Sequence, residues 1–273
     1  MNAVRGLFWT IHMGNYTAFL LGSIHYMREE MYPLPATMEY AFSASSVIVF
    51  EADIEETRAP AFKRYVQARG TYPPGDPLWN HISSSTQDQV RNALSRQHVP
   101  VSLAETIRPW LLSTMLNDAP QEGDDTPRHS TGGIDAYFLN RARSEGKQVK
   151  FLESASAQVD YYATLPERQQ EFLLQDALRD PPSEGELSLE EVLALWNAGE
   201  ADALEAQYRQ HHTDQMTIYE HLIIHRNHQW MPRLEEFLQL GENVMVVVGG
   251  GHIGGPDGVV QLLTDKGYPL VQA

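Results

Sequence analysis

At 273 residues, with 42% apolar and 21% charged content, the chain can bury a sizeable core and has the make-up of a globular protein. A formal net charge of −16 argues against a protein that tracks a nucleic-acid backbone or coats an anionic membrane surface. The lack of cysteine excludes disulfides, thiolate metal sites and a cysteine nucleophile, and no apolar run approaches the roughly 20 residues of a membrane span.

The first residues, MNAVRGLFWTIHMGNY, hold no long apolar segment before a turn, so a signal peptide is not expected. Apolar runs over 7–12 and 17–22 flank Met13-Gly14-Asn15 and predict a hairpin. Short β-branched runs predict strands over 47–50, 149–152 and 245–248, with a last short strand over 268–271. Helical patterns cover 35–45, 59–68, 86–96, 102–117, 133–145, 155–163, 167–178, 188–197, 200–211, 214–239 and 257–266. Segments 70–80, 119–132 and 180–187 are rich in Pro, Gly and polar residues and are expected to be loops. The order of elements predicts an α/β fold: a mixed sheet core built from both ends of the chain, flanked by helices, with a helix-rich insertion. That gives a single domain over 1–273 and a mainly helical insertion over 54–148. The first and last strands are expected to be neighbours, which would bring their loops together.

Two apolar runs end in the same way, Gly22-Ser23-Ile24-His25 and Gly249-Gly250-Gly251-His252. Two others end at Glu51 and Glu153. In open α/β sheets ligands bind beyond the carboxyl ends of strands. Two imidazoles with one or two carboxylates there make a candidate divalent-metal site. The bland alternatives are a tight glycine turn with His252 on a backbone carbonyl, and carboxylates that cap helices. Asp53 fits the capping role better than the site.

The long helix at 214–239 carries His221, His225 and His228 on one face, away from the apolar stripe of Tyr219, Ile223, Trp230, Leu234 and Phe237. A solvated face is the favoured reading of that triplet. Arg226 falls on the apolar side, where a guanidinium needs a partner. Glu51 or a developing oxyanion are the candidates, and Asn227 is placed to hold a ligand or a supporting group. Pro232 is expected to disturb this helix. In Ser130–Asp135, Thr131 is a candidate cap, and Asp135 fits the first helical turn better than the site. Trp110 and Trp196 look like core. There is no Gly-x-Ser-x-Gly elbow, no His-Glu-x-x-His helix and no phosphate-binding glycine motif.

Taken in order, AFLLGSIH (18–25), VIVFEAD (47–53), LAETIRPWLL (103–112), GGIDAYFLNRA (132–142), VKFLES (149–154), LWNAGE (195–200), HRNHQWMPRLEEFL (225–238) and VVVGGGHIGGPDGVVQLLTDKGY (246–268) resemble the TraB/PrgY/GumN family, which is related to the Tiki-type metalloproteases. The resemblance spans nearly the whole chain. It departs mildly at Gly250 and Ile253, where alanine and leucine are frequent. What it implies is a divalent-metal-dependent peptidase with His25, Glu51 and His252 at the metal, manganese or cobalt favoured and zinc possible. Arg226 and Asn227 match the family's Arg-Asn pair, with Arg226 an oxyanion stabiliser. Glu51 or Glu153 would be the base. The partner is then a peptide or protein substrate, not nucleic acid. A non-catalytic peptide- or metal-binding protein and an esterase using the same centre remain open.

Overall fold

The computed structural model describes residues 5–24, 27, 29–118, 133–179, 187–211 and 216–273. The chain forms two compact units. The first gathers 1–53, 124–154 and 185–273, and the second 54–123 and 155–184.

The first unit holds a mixed sheet of six strands among the described residues: β1 (Phe8–Met13), β2 (Tyr16–Ser23), β3 (Val47–Phe50), β4 (Gln148–Phe151), β5 (Val244–Gly249) and β6 (Leu270–Gln272), in the order β4-β3-β5-β2-β1-β6. β1 and β2 form the expected hairpin, Met13 pairing with Tyr16. Gly14 takes a left-handed φ of +74° as the first turn residue, which glycine adopts without the Cβ penalty.

β2, β5, β3 and β4 run parallel. β3 and β5 have neighbours on both sides, and their residues are buried almost throughout, which explains unbroken VIVF and VMVVV runs rather than alternation. The first and last strands, β1 and β6, are antiparallel neighbours as expected. The pairing that matters for the glycine loops is a different one. β2 lies beside β5 with Gly22 opposite Val248 and Ser23 opposite Gly249, so the two glycine motifs begin side by side at the sheet's end.

Helices α1 (Ala36–Ala44), α5 (Gly133–Ser144), α8 (Leu189–Ala198), α9 (Ala201–His211), α10 (Met216–Tyr219), α11 (His225–Leu238) and α12 (Val259–Asp265) belong to this unit. Met38, Phe42, Phe138, Trp196, Trp230 and Leu234 from these helices share one core with the strands. The second unit contains α2 (Pro60–Gly70), α3 (Ser84–Arg96), α4 (Pro109–Asp118), α6 (Ala155–Ala163) and α7 (Glu167–Ala177), and has a core of its own around Tyr72, Leu78, Val90, Leu112 and Leu174.

Two helices differ from their sequence expectation. The helix expected over 102–117 begins at Pro109. Val101–Leu103 forms a separate 3₁₀ turn, because proline disfavours helical geometry at the residue before it and is itself suited to the first helical position. The irregularity expected at Pro232 lies upstream: α11 runs through Pro232, while Glu220–Ile224 forms a π-helical turn between α10 and α11.

Candidate active site

The carboxyl ends of β3, β4 and β5 and the buried face of α11 converge on one polar cluster. Arg226 is its hub. Its Nη2 donates to Glu51 Oε2 at 2.6 Å and to Glu153 Oε1 at 2.6 Å, and its Nε donates to Glu153 Oε1 at 3.1 Å. Its Nη1 donates to the Leu222 carbonyl in the π-helical turn at 3.2 Å and lies 3.1 Å from His252 Nε2. These contacts match the five N–H groups of a guanidinium. The side chains of Arg226, Glu51 and Glu153 are only 12%, 16% and 6% exposed. Burial opposes the charge on Arg226, but Glu51 and Glu153 outweigh it and raise its pKa above the ordinary guanidinium value, so it stays cationic.

Each carboxylate is held a second time. Glu51 Oε1 accepts the Gly249 N–H at 2.7 Å, and Glu153 Oε2 accepts the Trp230 indole N–H at 2.8 Å. The Glu153 backbone N–H donates to the Glu51 carbonyl at 2.9 Å, so the two strand ends present their acids together. Trp230 also lies against His252, with ring centroids 4.5 Å apart, and its ring faces the guanidinium carbon of Arg226 at 4.8 Å.

The tautomer of His252 follows from its neighbours. The amide nitrogen of Asn227 donates to the carbonyls of His252 (3.2 Å) and Asp257 (2.8 Å), which leaves Asn227 Oδ1 as an acceptor. His252 Nδ1, 2.7 Å from that oxygen, therefore carries the proton. Nε2 then presents a lone pair toward Arg226, 3.9 Å from Glu51 Oε1. Asn227 and His252 are both buried.

Packing explains the glycines. A Cβ on Gly249 would stand 3.1 Å from Glu51 Oε1, and one on Gly250 would stand 3.2 Å from the Ser23 carbonyl. A Cβ on Gly22 would stand 2.9 Å from Ile253 Cγ1, so the first motif packs directly on the second. Trp196 is core, as expected, yet its indole N–H also donates to the Gly22 carbonyl at 2.7 Å.

The structure thus brings together Glu51, Glu153, Arg226, Asn227 and His252. His25 and Thr131 lie outside the described residues. The chain just before His25 is gripped by α5: Ser23 Oγ donates to Asp135 Oδ1 at 2.8 Å, and the Ile134 N–H donates to the Ile24 carbonyl at 3.1 Å. Asp135 therefore does more than sit in a first helical turn. Asp53 pairs with Arg143 at 2.7 Å instead of joining the cluster. His221, His225 and His228 line an open groove with Glu220 and Asp257, and the Asp257 carbonyl at its edge is the one that accepts from Asn227. Trp230 is the member that sequence reasoning missed. Its place in the apolar stripe conceals the indole N–H, and the available signal is its spacing of one helical turn from Arg226.

A family model described as TraB/PrgY/gumN matches residues 7–272. The chain belongs to the TraB/PrgY/gumN family. This family member is 24% identical over 250 residues to the uncharacterized protein YbaP of Shigella flexneri and, equally, to that of Escherichia coli (strain K12). Each alignment covers 92% of this chain and 89% of the relative. No solved structure matches the chain.

Among the described residues, no group of three or more His, Asp or Glu side chains is arranged to hold a metal ion. The donor types present do suit one: a neutral imidazole nitrogen oriented from behind by Asn227, next to a carboxylate oxygen. Arg226 shares both of these donors' surroundings, so a cation bound there and the guanidinium would draw on the same side chains.

Proposed function

We propose that this TraB/PrgY/gumN protein is a hydrolase, and more specifically a divalent-metal-dependent peptidase. The observation that carries the reading is the His252 Nε2 lone pair, fixed by Asn227 and aimed at the Glu51–Arg226–Glu153 cluster. Family membership and the resemblance to the Tiki-type metalloproteases support it. His252, Glu51 and His25 would hold the ion, manganese or cobalt before zinc. When bound, it supplies Lewis acidity and a water of lowered pKa.

The chain's own groups have separable tasks. Asn227 keeps the proton on His252 Nδ1 and the lone pair on Nε2. Gly249 N–H and Arg226 fix Glu51. Glu153, oriented by Trp230, accepts a proton from water and returns it to the leaving amine. Arg226 stabilises the oxygen of the attacked carbonyl as negative charge develops.

The test is hydrolysis of a mixed peptide library by metal-stripped protein, before and after adding manganese, cobalt or zinc, with cut sites found by mass spectrometry. Cleavage that needs the ion and disappears in His252→Ala is expected. Undiminished cleavage by the stripped protein in chelator would sink the metal dependence. A second reading, a peptide- or metal-binding protein without turnover, is favoured by one feature: Arg226 already neutralises both candidate bases. Tight binding with no product after long incubation would select it.

A further inference from the structure

Beyond His252 the chain meets α9, where the Gly255 N–H donates to Asp202 Oδ1 at 2.9 Å. The two segments border an open groove of about 590 Å³, lined by Asp202, Glu205 and Arg209 of α9 and by Gly255 and Gln261. Asp202, Glu205 and Arg209 follow one another at spacings of three and four, so they share one face of the helix. The proposed hydrolysis uses none of these side chains.

Glu205 is the anomaly. Its side chain is only 5% exposed, yet its two oxygens are loaded unequally. Oε1 accepts from the Tyr219 hydroxyl at 2.5 Å and from Arg209 twice, from Nε at 2.8 Å and from Nη2 at 2.5 Å. Among the described residues no donor reaches Oε2. A buried acceptor without a donor is destabilising. Oε2 faces Gly255, where a Cβ would stand 2.9 Å from it. Gly255 has a φ of +80°, so glycine both fits the turn and leaves that oxygen uncovered.

The chemistry of a fitting donor follows. Two carboxylates and one guanidinium line the groove, and the guanidinium is committed to Glu205, so the local charge favours a cation. The net charge of −16 acts in the same direction at long range. Both arms of the Arg209 fork are on Oε1, which leaves a single oxygen. A second guanidinium would be matched by two oxygens, whereas a primary ammonium is a compact donor that one oxygen can hold. A divalent ion needs several ligating oxygens, and no group of three acids or imidazoles among the described residues is arranged for one.

We infer that this groove is a binding site for a primary ammonium group, which donates to Glu205 Oε2 while Asp202, on the same helix face, supplies a second negative charge. A lysine side chain of a peptide and a small free amine carry the same group, and the test separates them.

Calorimetry on the full chain without added metal compares acetyl-Gly-Lys-Gly-amide, the same peptide with norleucine in place of lysine, and 1,5-diaminopentane. Glu205→Gln keeps an acceptor for Tyr219 and Arg209 and puts an N–H donor in place of Oε2. Asp202→Asn keeps the acceptor for the Gly255 N–H and removes the charge. Thermal melts establish that each variant is folded. Wild type should bind the lysine peptide at least about tenfold more tightly than the norleucine peptide, the factor that one hydrogen bond to a charged group supplies. Glu205→Gln should abolish that preference, and Asp202→Asn should reduce it several-fold. A lysine peptide that binds more tightly than the diamine places the ammonium on a peptide, and the reverse order places it on a small amine. Either order upholds the site. Binding of neither amine, equal binding of the norleucine peptide, or a preference unchanged in Glu205→Gln or in Asp202→Asn would overturn it and mean that solvent satisfies Oε2. Cleavage is not read, so the outcome stands apart from the hydrolase proposal.

Discussion

Asn227 uses both ends of its amide inside the protein, and that makes it the most sensitive small residue in the cluster. Its nitrogen serves two carbonyls and its oxygen sets the His252 tautomer. In Asn227→Leu the shape is kept, but the carbonyls of His252 and Asp257 and the imidazole N–H lose their partner. Each buried polar group left unpaired costs about 1–3 kcal/mol, so urea denaturation should show a loss of at least that size. If the site hydrolyses peptides as proposed, kcat/KM should also fall roughly 10–100-fold, the usual effect of losing a group that orients a ligating histidine. Arg226 poses the opposite case. Arg226→Met would leave Glu51 and Glu153 buried without their cation, and a stability loss of about 3–5 kcal/mol is expected by denaturant titration. Arg226→Lys restores the charge but not the fork that reaches both acids, so its loss should be smaller and not zero. A Met variant as stable as wild type would show that the acids are not held by Arg226 in solution.

The contact between α9 and the glycine loop belongs to the scale of elements. A Cβ on Gly254 would run into the backbone carbonyl of Ala201, which cannot rotate away as a side chain could. Gly254→Ala must therefore push α9 off the loop, at a cost of about 1–3 kcal/mol. The midpoint of urea unfolding should fall accordingly. Most elements were legible because each has a local cause. The hairpin has its glycine turn, and α8 has a capping box, with Ser188 accepting from the Glu191 N–H while Glu191 accepts from Ser188. The π-helical turn at Glu220–Ile224 was not legible. Nothing in EHLII differs from a helical pattern, and its place is visible only through what surrounds it, including the Arg226 guanidinium bonded to the Leu222 carbonyl.

At the scale of the molecule, the two cores make two separable predictions. In the second unit, burial works to raise the Glu171 pKa, but hydrogen bonds from Thr86 and Ser83 outweigh it and hold the carboxyl below its ordinary value. Asp160 is likewise lowered: burial opposes the shift, and Tyr65 and Arg69 prevail. A carboxyl with a depressed folded-state pKa contributes its stability above the unfolded value, about 4.3 for glutamate. That contribution is lost as pH falls through the lower folded value. The second unit should therefore weaken below about pH 4, and Glu171→Gln should flatten, without abolishing, that acid limb. Hydrogen exchange followed by mass spectrometry resolves where each change acts. Glu171→Gln should speed exchange within 54–118 and 155–179, and Gly254→Ala within 5–53, 133–154 and 187–273, because the cores around Leu174 and around Met245 do not share buried residues. Uniform acceleration along the chain in both variants would mean one cooperative unit and would contradict this separation.

By itself, the order of residues determined the strand and helix pattern, the mixed sheet drawn from both ends of the chain, and the gathering of charged residues at strand ends. Those follow from short-range causes: apolar periodicity, glycine and proline at turns, and caps. Membership in the TraB/PrgY/gumN family was legible in the same spaced motifs. Tertiary structure decided the partners. Parallel pairing of β2 with β5 set the starts of the two glycine motifs side by side, although Ser23 and Gly249 are 226 positions apart in the chain. The choice of Arg226 to hold Glu51 and Glu153 together, of Trp230 to orient Glu153, and of Asn227 to fix the His252 proton depends on where α11 crosses the sheet ends. A hydrogen bond is decided within a few tenths of an ångström, and local sequence patterns carry no information on distances between segments so far apart in the chain.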